Sequence, residues 1–98
     1  MNIIENLQFH NDKPSVAIIK KNENIKYFAV GLGKNAVLQK HTTAFPATLV
    51  VAKGKIDFKF EDRNYILNTL DTFEIPVDEM HEVHGLEDEN VFLVCQEL

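Results

Sequence analysis

Lys55-Ile56-Asp57-Phe58-Lys59-Phe60-Glu61 alternates polar and apolar side chains at every position. That period of two belongs to a half-buried β-strand and is incompatible with a helical stripe, so Ile56, Phe58 and Phe60 are expected to face a core. Working outward, further β-branched and aromatic runs occupy 16–20, 25–32, 36–41, 47–53, 65–67, 72–75, 80–84 and 91–96. The segments between them carry the Gly, Asn and Asp that tolerate positive φ or bond their own backbone, as in Lys21-Asn22-Glu23-Asn24, Lys53-Gly54-Lys55 and Asn68-Thr69-Leu70-Asp71. About nine short strands at this spacing predict an all-β sandwich or barrel. Near the start, Asn2 is placed to cap one short helical turn carrying Ile3, Ile4 and Leu7, although a strand over 3–9 fits the pattern nearly as well.

Ninety-eight residues, 45% hydrophobic and 26% charged, suit one domain spanning 1–98 with one core. Fifteen acidic against ten basic residues give a formal charge of -5, and no basic cluster exceeds the pair Lys20-Lys21. A nucleic-acid partner is therefore not expected. The longest apolar runs, 48–52 and 91–95, are far short of the ~20 residues that cross a bilayer, and the N-terminus lacks a basic-then-apolar signal. No membrane partner is expected, and the reading places the protein in the cytoplasm. Cys95 is the single cysteine and lies in an apolar run, so it reads as a buried, inert thiol and stability rests on packing.

Four histidines, at 10, 41, 81 and 84, are the candidates for chemistry, because imidazole titrates near neutrality and is the commonest metal ligand. His41 ends one strand and His81 opens another, where side chains line the mouth of a barrel. His84 falls on the opposite strand face from His81, and His10 lies in a surface turn beside Asn11-Asp12. His81-Glu82-Val83-His84 is not the metalloprotease helix, which needs histidines four apart, so Glu82 and His84 read as solvent-facing strand positions. Gly31-Leu32-Gly33-Lys34 lacks the residues of a phosphate loop.

The stretch 36–98 resembles a small single-domain cupin. The first family motif is matched by Gly33 near the opening Gly, by His41 at the first His and by Gly54 at the closing Gly. Thr43 stands where the second His would be, and Ala47 or Thr48 occupies the Glu region. The second motif is matched by Asp71, Pro76 and His81, with Leu70 and Asp78 at positions where the family commonly has Gly. The resemblance implies a double-stranded β-helix, a cupin jelly-roll barrel, with the motif side chains pointing inward. It also implies a divalent transition metal as cofactor, for which only His41 and His81 remain as candidate ligands, and Gln39, two residues before His41 and therefore on the same strand face, is a further candidate oxygen donor.

Two classes of function fit these residues. In one, the barrel pocket binds a small molecule without a complete metal site, with Gln39, His41, Thr43 and His81 as its polar groups. In the other, the protein is a metal-dependent cupin enzyme of dioxygenase or isomerase type with a reduced two-histidine site, or a metal-free isomerase using one histidine as base. A scaffold with no small-molecule function is the remaining alternative. A homodimer is expected, since an open jelly roll leaves strand edges and the apolar segment containing Ile3, Ile4, Leu7 and Phe9 is available to cover one.

Overall fold

The structure, a computed structural model, describes residues 1–98. Its nine strands are β1 (Ser15–Lys21), β2 (Ile25–Gly33), β3 (Val37–His41), β4 (Ala47–Lys53), β5 (Lys55–Phe60), β6 (Asn64–Asn68), β7 (Thr72–Ile75), β8 (His81–Gly85) and β9 (Glu89–Glu97). Two antiparallel sheets pack face to face: five strands in the order β1-β2-β9-β4-β7, and four in the order β3-β8-β5-β6. This is a jelly-roll barrel. No helix is long and apolar enough to cross a membrane.

Alternation along the strands sorts the side chains as the sequence predicts. Leu49, Val51, Phe92 and Val94 from the larger sheet meet Ile56, Phe58, Phe60 and Val83 from the smaller one in a single buried cluster, with Phe73 packed against it. The acidic and basic partners on β5 point the other way. Asp57, though outward, is nearly buried, because Asn64 Nδ2 donates to its carboxylate at 3.0 Å and Lys59 lies 3.7 Å away.

The N-terminal turn is present as a 3-10 helix over Ile4–Asn6, and Asn2 Oδ1 accepts the Glu5 N–H at 3.2 Å. The apolar segment around this turn covers a sheet face, which corrects its expected place at a strand edge. Leu7 is buried with Ala17, Ala29 and Val91 on the outer side of the larger sheet, where Ile3, Phe9 and Leu93 also pack. The Gly33 N–H donates to the His10 carbonyl at 3.0 Å, so His10 is tied down by its backbone and is only partly exposed.

Glu82 and His84 are a second correction. On the outer face of β8 they are half-buried, with His84 Nε2 3.5 Å from a Glu82 oxygen and closed off from solvent without a hydrogen bond. His84 is flanked across the sheet by Val37 and Asp57 on the neighbouring strands. Cys95, on the outer face of β9, is half-buried and free.

Asn35 takes the left-handed region at φ 67°, and so do two further non-glycine residues in turns, Leu70 at φ 73° and Asp78 at φ 61°. Leu70 and Asp78 are the two positions where the sequence departs from the Gly of the second motif. Both turns take a conformation that glycine adopts freely and a side chain opposes.

Candidate functional site

His41 and His81 meet. They are direct neighbours across the β3–β8 ladder, with ring centroids 4.4 Å apart in an edge-to-face arrangement. Leu38 faces inward opposite Val83, and simple alternation from Leu38 would have sent Lys40 inward and His41 outward. A β-bulge between Leu38 and His41 adds one residue and turns His41 toward His81. The same bulge separates Gln39 from the site. Its side chain is exposed and does not line the cavity, and what it supplies is its carbonyl, which accepts the His41 Nδ1–H at 2.8 Å.

His81 is held in parallel fashion. Its Nδ1–H donates to the Glu79 carbonyl at 2.9 Å, and its ring stacks on Phe58 with centroids 4.9 Å apart. Only 3% of the residue is exposed. Burial pushes the His81 pKa below the ordinary histidine value, with the nearby His41 adding to the effect and the Glu79 carbonyl and carboxylate opposing it. A carbonyl can only accept, so each Nδ1 carries the proton and each neutral ring keeps its lone pair at Nε2, the nitrogen remote from the backbone. His81 Nε2 has no protein partner and is not sealed from solvent.

Both rings border a cavity of about 200 Å³ between the sheets, whose lining is mainly apolar. Phe28, Val30, Phe58, Val83 and Phe92 form its walls, with the histidines and Thr43 at its polar end. Thr43 is buried, but its hydroxyl is spent inside the protein. Oγ1 donates to the Phe45 carbonyl at 3.1 Å and accepts the Phe45 N–H at 3.3 Å. Gln96 completes the polar end, with Nε2 3.4 Å from Thr43 Oγ1. Sequence reasoning passed over Gln96, although the alternation Phe92, Val94, Gln96 puts it on the inward face of β9.

The loop carrying Glu79 is fastened from two sides. Asp78 N–H donates to the Thr43 carbonyl at 2.8 Å, and Arg63 forms a two-pronged pair with the Glu79 carboxylate at 2.7 and 3.0 Å. Arg63 also lies over the Phe60 ring at 4.0 Å. Its guanidinium holds the Glu79 carboxyl below the usual carboxylate range.

The donor set does not fit a complete transition-metal centre. Ala47, in the region where the family motif has Glu, presents only a methyl to the cavity, and no group of three or more His, Cys, Asp or Glu side chains is arranged to hold a metal ion. Two imidazoles fall short of the three protein ligands usual for a catalytic metal.

No protein-family model matches the chain, and neither does any curated protein sequence. Solved structures do match in shape. A cupin superfamily protein from Desulfitobacterium hafniense aligns with a TM-score of 0.83 at 10% identity, covering 94% of this chain and 84% of that one. An RmlC-like cupin from Desulfovibrio desulfuricans gives a TM-score of 0.82 at 18% identity, over 98% and 93% of the two chains. A protein of unknown function from Streptococcus pyogenes gives 0.83 at 12% identity, over 99% and 84%. At such low identity these likenesses establish the fold, and the chain has the fold of a small single-domain cupin.

Proposed function

We propose that this protein binds a small molecule in the cavity between its sheets and that it does so without a complete metal site. The observation that carries the reading is the pair His41 and His81, two imidazoles fixed in orientation by backbone carbonyls at the polar end of an otherwise apolar cavity. A concave apolar site with a few oriented polar groups is the usual form of a small-molecule site. At about 200 Å³ the cavity accommodates a ring-sized molecule, since even an engineered apolar cavity of about 150 Å³ takes up benzene. A chain with one free cysteine and a formal charge of -5 suits the cytoplasm, where we place it.

Amide NMR spectra recorded with a panel of ring-sized fragments test this. Shifts confined to residues around Val30, Phe58, Val83 and Phe92 are expected, and a panel that leaves all of them unmoved contradicts the proposal. Elemental analysis of untagged protein tests the rival reading. Stoichiometric iron, manganese, nickel or zinc would replace the binding module by a metal-dependent enzyme that completes its shell from outside the chain.

A further inference from the structure

The hydrogen-bond accounting at the polar end restricts what the cavity can recognise. His41 Nδ1 and His81 Nδ1 both donate to nearby backbone carbonyls, so neither ring has an N–H left for a ligand while neutral. Thr43 Oγ1 donates to the Phe45 carbonyl and already accepts from the Phe45 N–H and from Gln96. The Gln96 amide is the one remaining source of a donated proton at the cavity. The site therefore offers three acceptors, the lone pairs of two imidazoles whose centroids are 4.4 Å apart and the Gln96 amide oxygen, against a single amide N–H.

We infer that the ligand is a neutral, ring-sized molecule carrying a hydroxyl or N–H donor, which it directs at the Nε2 lone pairs of His41 and His81, and that anions are rejected. This rests on the cavity being a small-molecule site, as proposed above. A carboxylate or a fully ionised phosphate ester has acceptors only, and it would face the imidazole lone pairs with one amide N–H to satisfy it. An ammonium would find acceptors, but its charge would be stripped of water against Phe28, Val30 and Phe92, a costly transfer with no buried carboxylate in the cavity lining to offset it. A neutral hydroxyl donates its one hydrogen to an imidazole lone pair and leaves its apolar body to the cavity walls. Sites built to pair a polar hydrogen discriminate strongly against analogues lacking it, because the site's own polar groups are then stranded.

Three probes of similar bulk separate the possibilities at pH 8: phenol, which donates; anisole, the same ring and oxygen with the donor methylated; and benzoate, an anion. Binding is followed by NMR shifts at Phe58, Val83 and Phe92. Phenol is expected to bind at least tenfold more tightly than anisole or benzoate. Substituting His81→Phe or His41→Phe, which keeps a ring but removes the lone pair, is expected to bring phenol down to the level of anisole, with strand content checked by circular dichroism. Equal binding of phenol and anisole, a preference for benzoate, or a phenol preference that survives both substitutions overturns the donor assignment while leaving the cavity a binding site. No shift at these residues with any probe overturns both.

Discussion

Asn90 Oδ1 lies so close to Gly54 that a β-carbon at residue 54 would meet it at 2.5 Å. Asn90 is fully buried, and its amide is wholly used. Oδ1 accepts the N–H groups of Lys55 and Glu87 at 3.0 and 3.1 Å, and Nδ2 donates to the carbonyls of Leu32 and Glu87 at 3.0 and 2.8 Å. One side chain thereby joins β2, the start of β5 and the β8–β9 turn. Asn90→Ala leaves those backbone groups without partners and is expected to cost about 2 to 4 kcal/mol in urea unfolding, given roughly 1 to 3 kcal/mol for stranding a buried polar group. Gly54→Ala is expected to cost at least ~2 kcal/mol, since φ 79° and the close approach both oppose a side chain there. Loss of less than ~1 kcal/mol in either variant would contradict this role.

All nine strands were legible, because alternation and turn chemistry are local signals and each is strong where one sheet face is buried, whereas the N-terminal turn was one of two readings that its short apolar pattern allowed. The bulge before His41 was not. Nothing in Val37-Leu38-Gln39-Lys40-His41 announces an extra residue, and the period-two rule then assigned Gln39 to the wrong face. Asn90 was equally hidden, since its partners lie as far as 58 residues away in sequence. His41 and His81 came together as the resemblance implied, while Gln96 required knowing that β9 faces the cavity.

The assigned face of β5 predicts opposite outcomes at adjacent residues. Phe58 is buried and packs against Phe60, Phe73 and His81, so Phe58→Ala should cost about 3 to 5 kcal/mol, the range for removing a core phenylalanine. Lys59→Ala removes one outward side chain with a 3.7 Å ion pair and should change stability by less than ~0.5 kcal/mol. Comparable losses at the two positions in denaturant titrations would refute the assignment.

Leu70 is a site where the protein carries avoidable strain. It sits at φ 73° and is 77% exposed, so it makes little packing contribution to set against the steric cost of the left-handed conformation. Leu70→Gly removes that cost, of order 1 to 2 kcal/mol, and gives back roughly 0.4 to 1 kcal/mol through a more flexible unfolded chain. A net gain of about 0.5 to 1 kcal/mol is expected, with Leu70→Ala showing no comparable gain. A destabilised glycine variant would mean that Leu70 has a contact partner outside this chain.

Protonation of His81 should appear in stability as well as in its own titration. Its folded-state pKa is held down, chiefly by burial, so below the ordinary value of about 6.5 the unfolded chain binds a proton that the folded chain resists. Stability is therefore full above that value and falls as pH drops from it toward the depressed folded pKa. In His81→Phe this component is absent. The stability difference between the parent and the variant should shift in favour of the variant between pH 7.5 and 5.5, and an unchanged difference would show that His81 titrates normally. The Asp62 and Glu79 carboxyls, both held low by hydrogen bonds from Arg63, lose their contribution only in the more acidic carboxylate range, so the two effects separate.

Self-association should use β1. This strand pairs only with β2, so its other side presents unpaired backbone groups, and Val16 and Ile18 on its inward face remain about half exposed at that open edge. A second copy is the natural occupant. Antiparallel pairing of β1 with its own copy is isologous and sends Lys20 and Lys21 of the two chains to opposite ends, whereas parallel pairing would stack like charges. Light scattering at low micromolar concentration is expected to return twice 11.2 kDa, and Ile18→Lys is expected to return 11.2 kDa. Deleting residues 1–9 should chiefly lower stability, because that segment covers Ala17, Ala29 and Val91 within its own chain. A parent protein at 11.2 kDa would rule the dimer out, and a dimer that survives Ile18→Lys would move the interface away from β1 to another of the free edges, β3, β6 or β7.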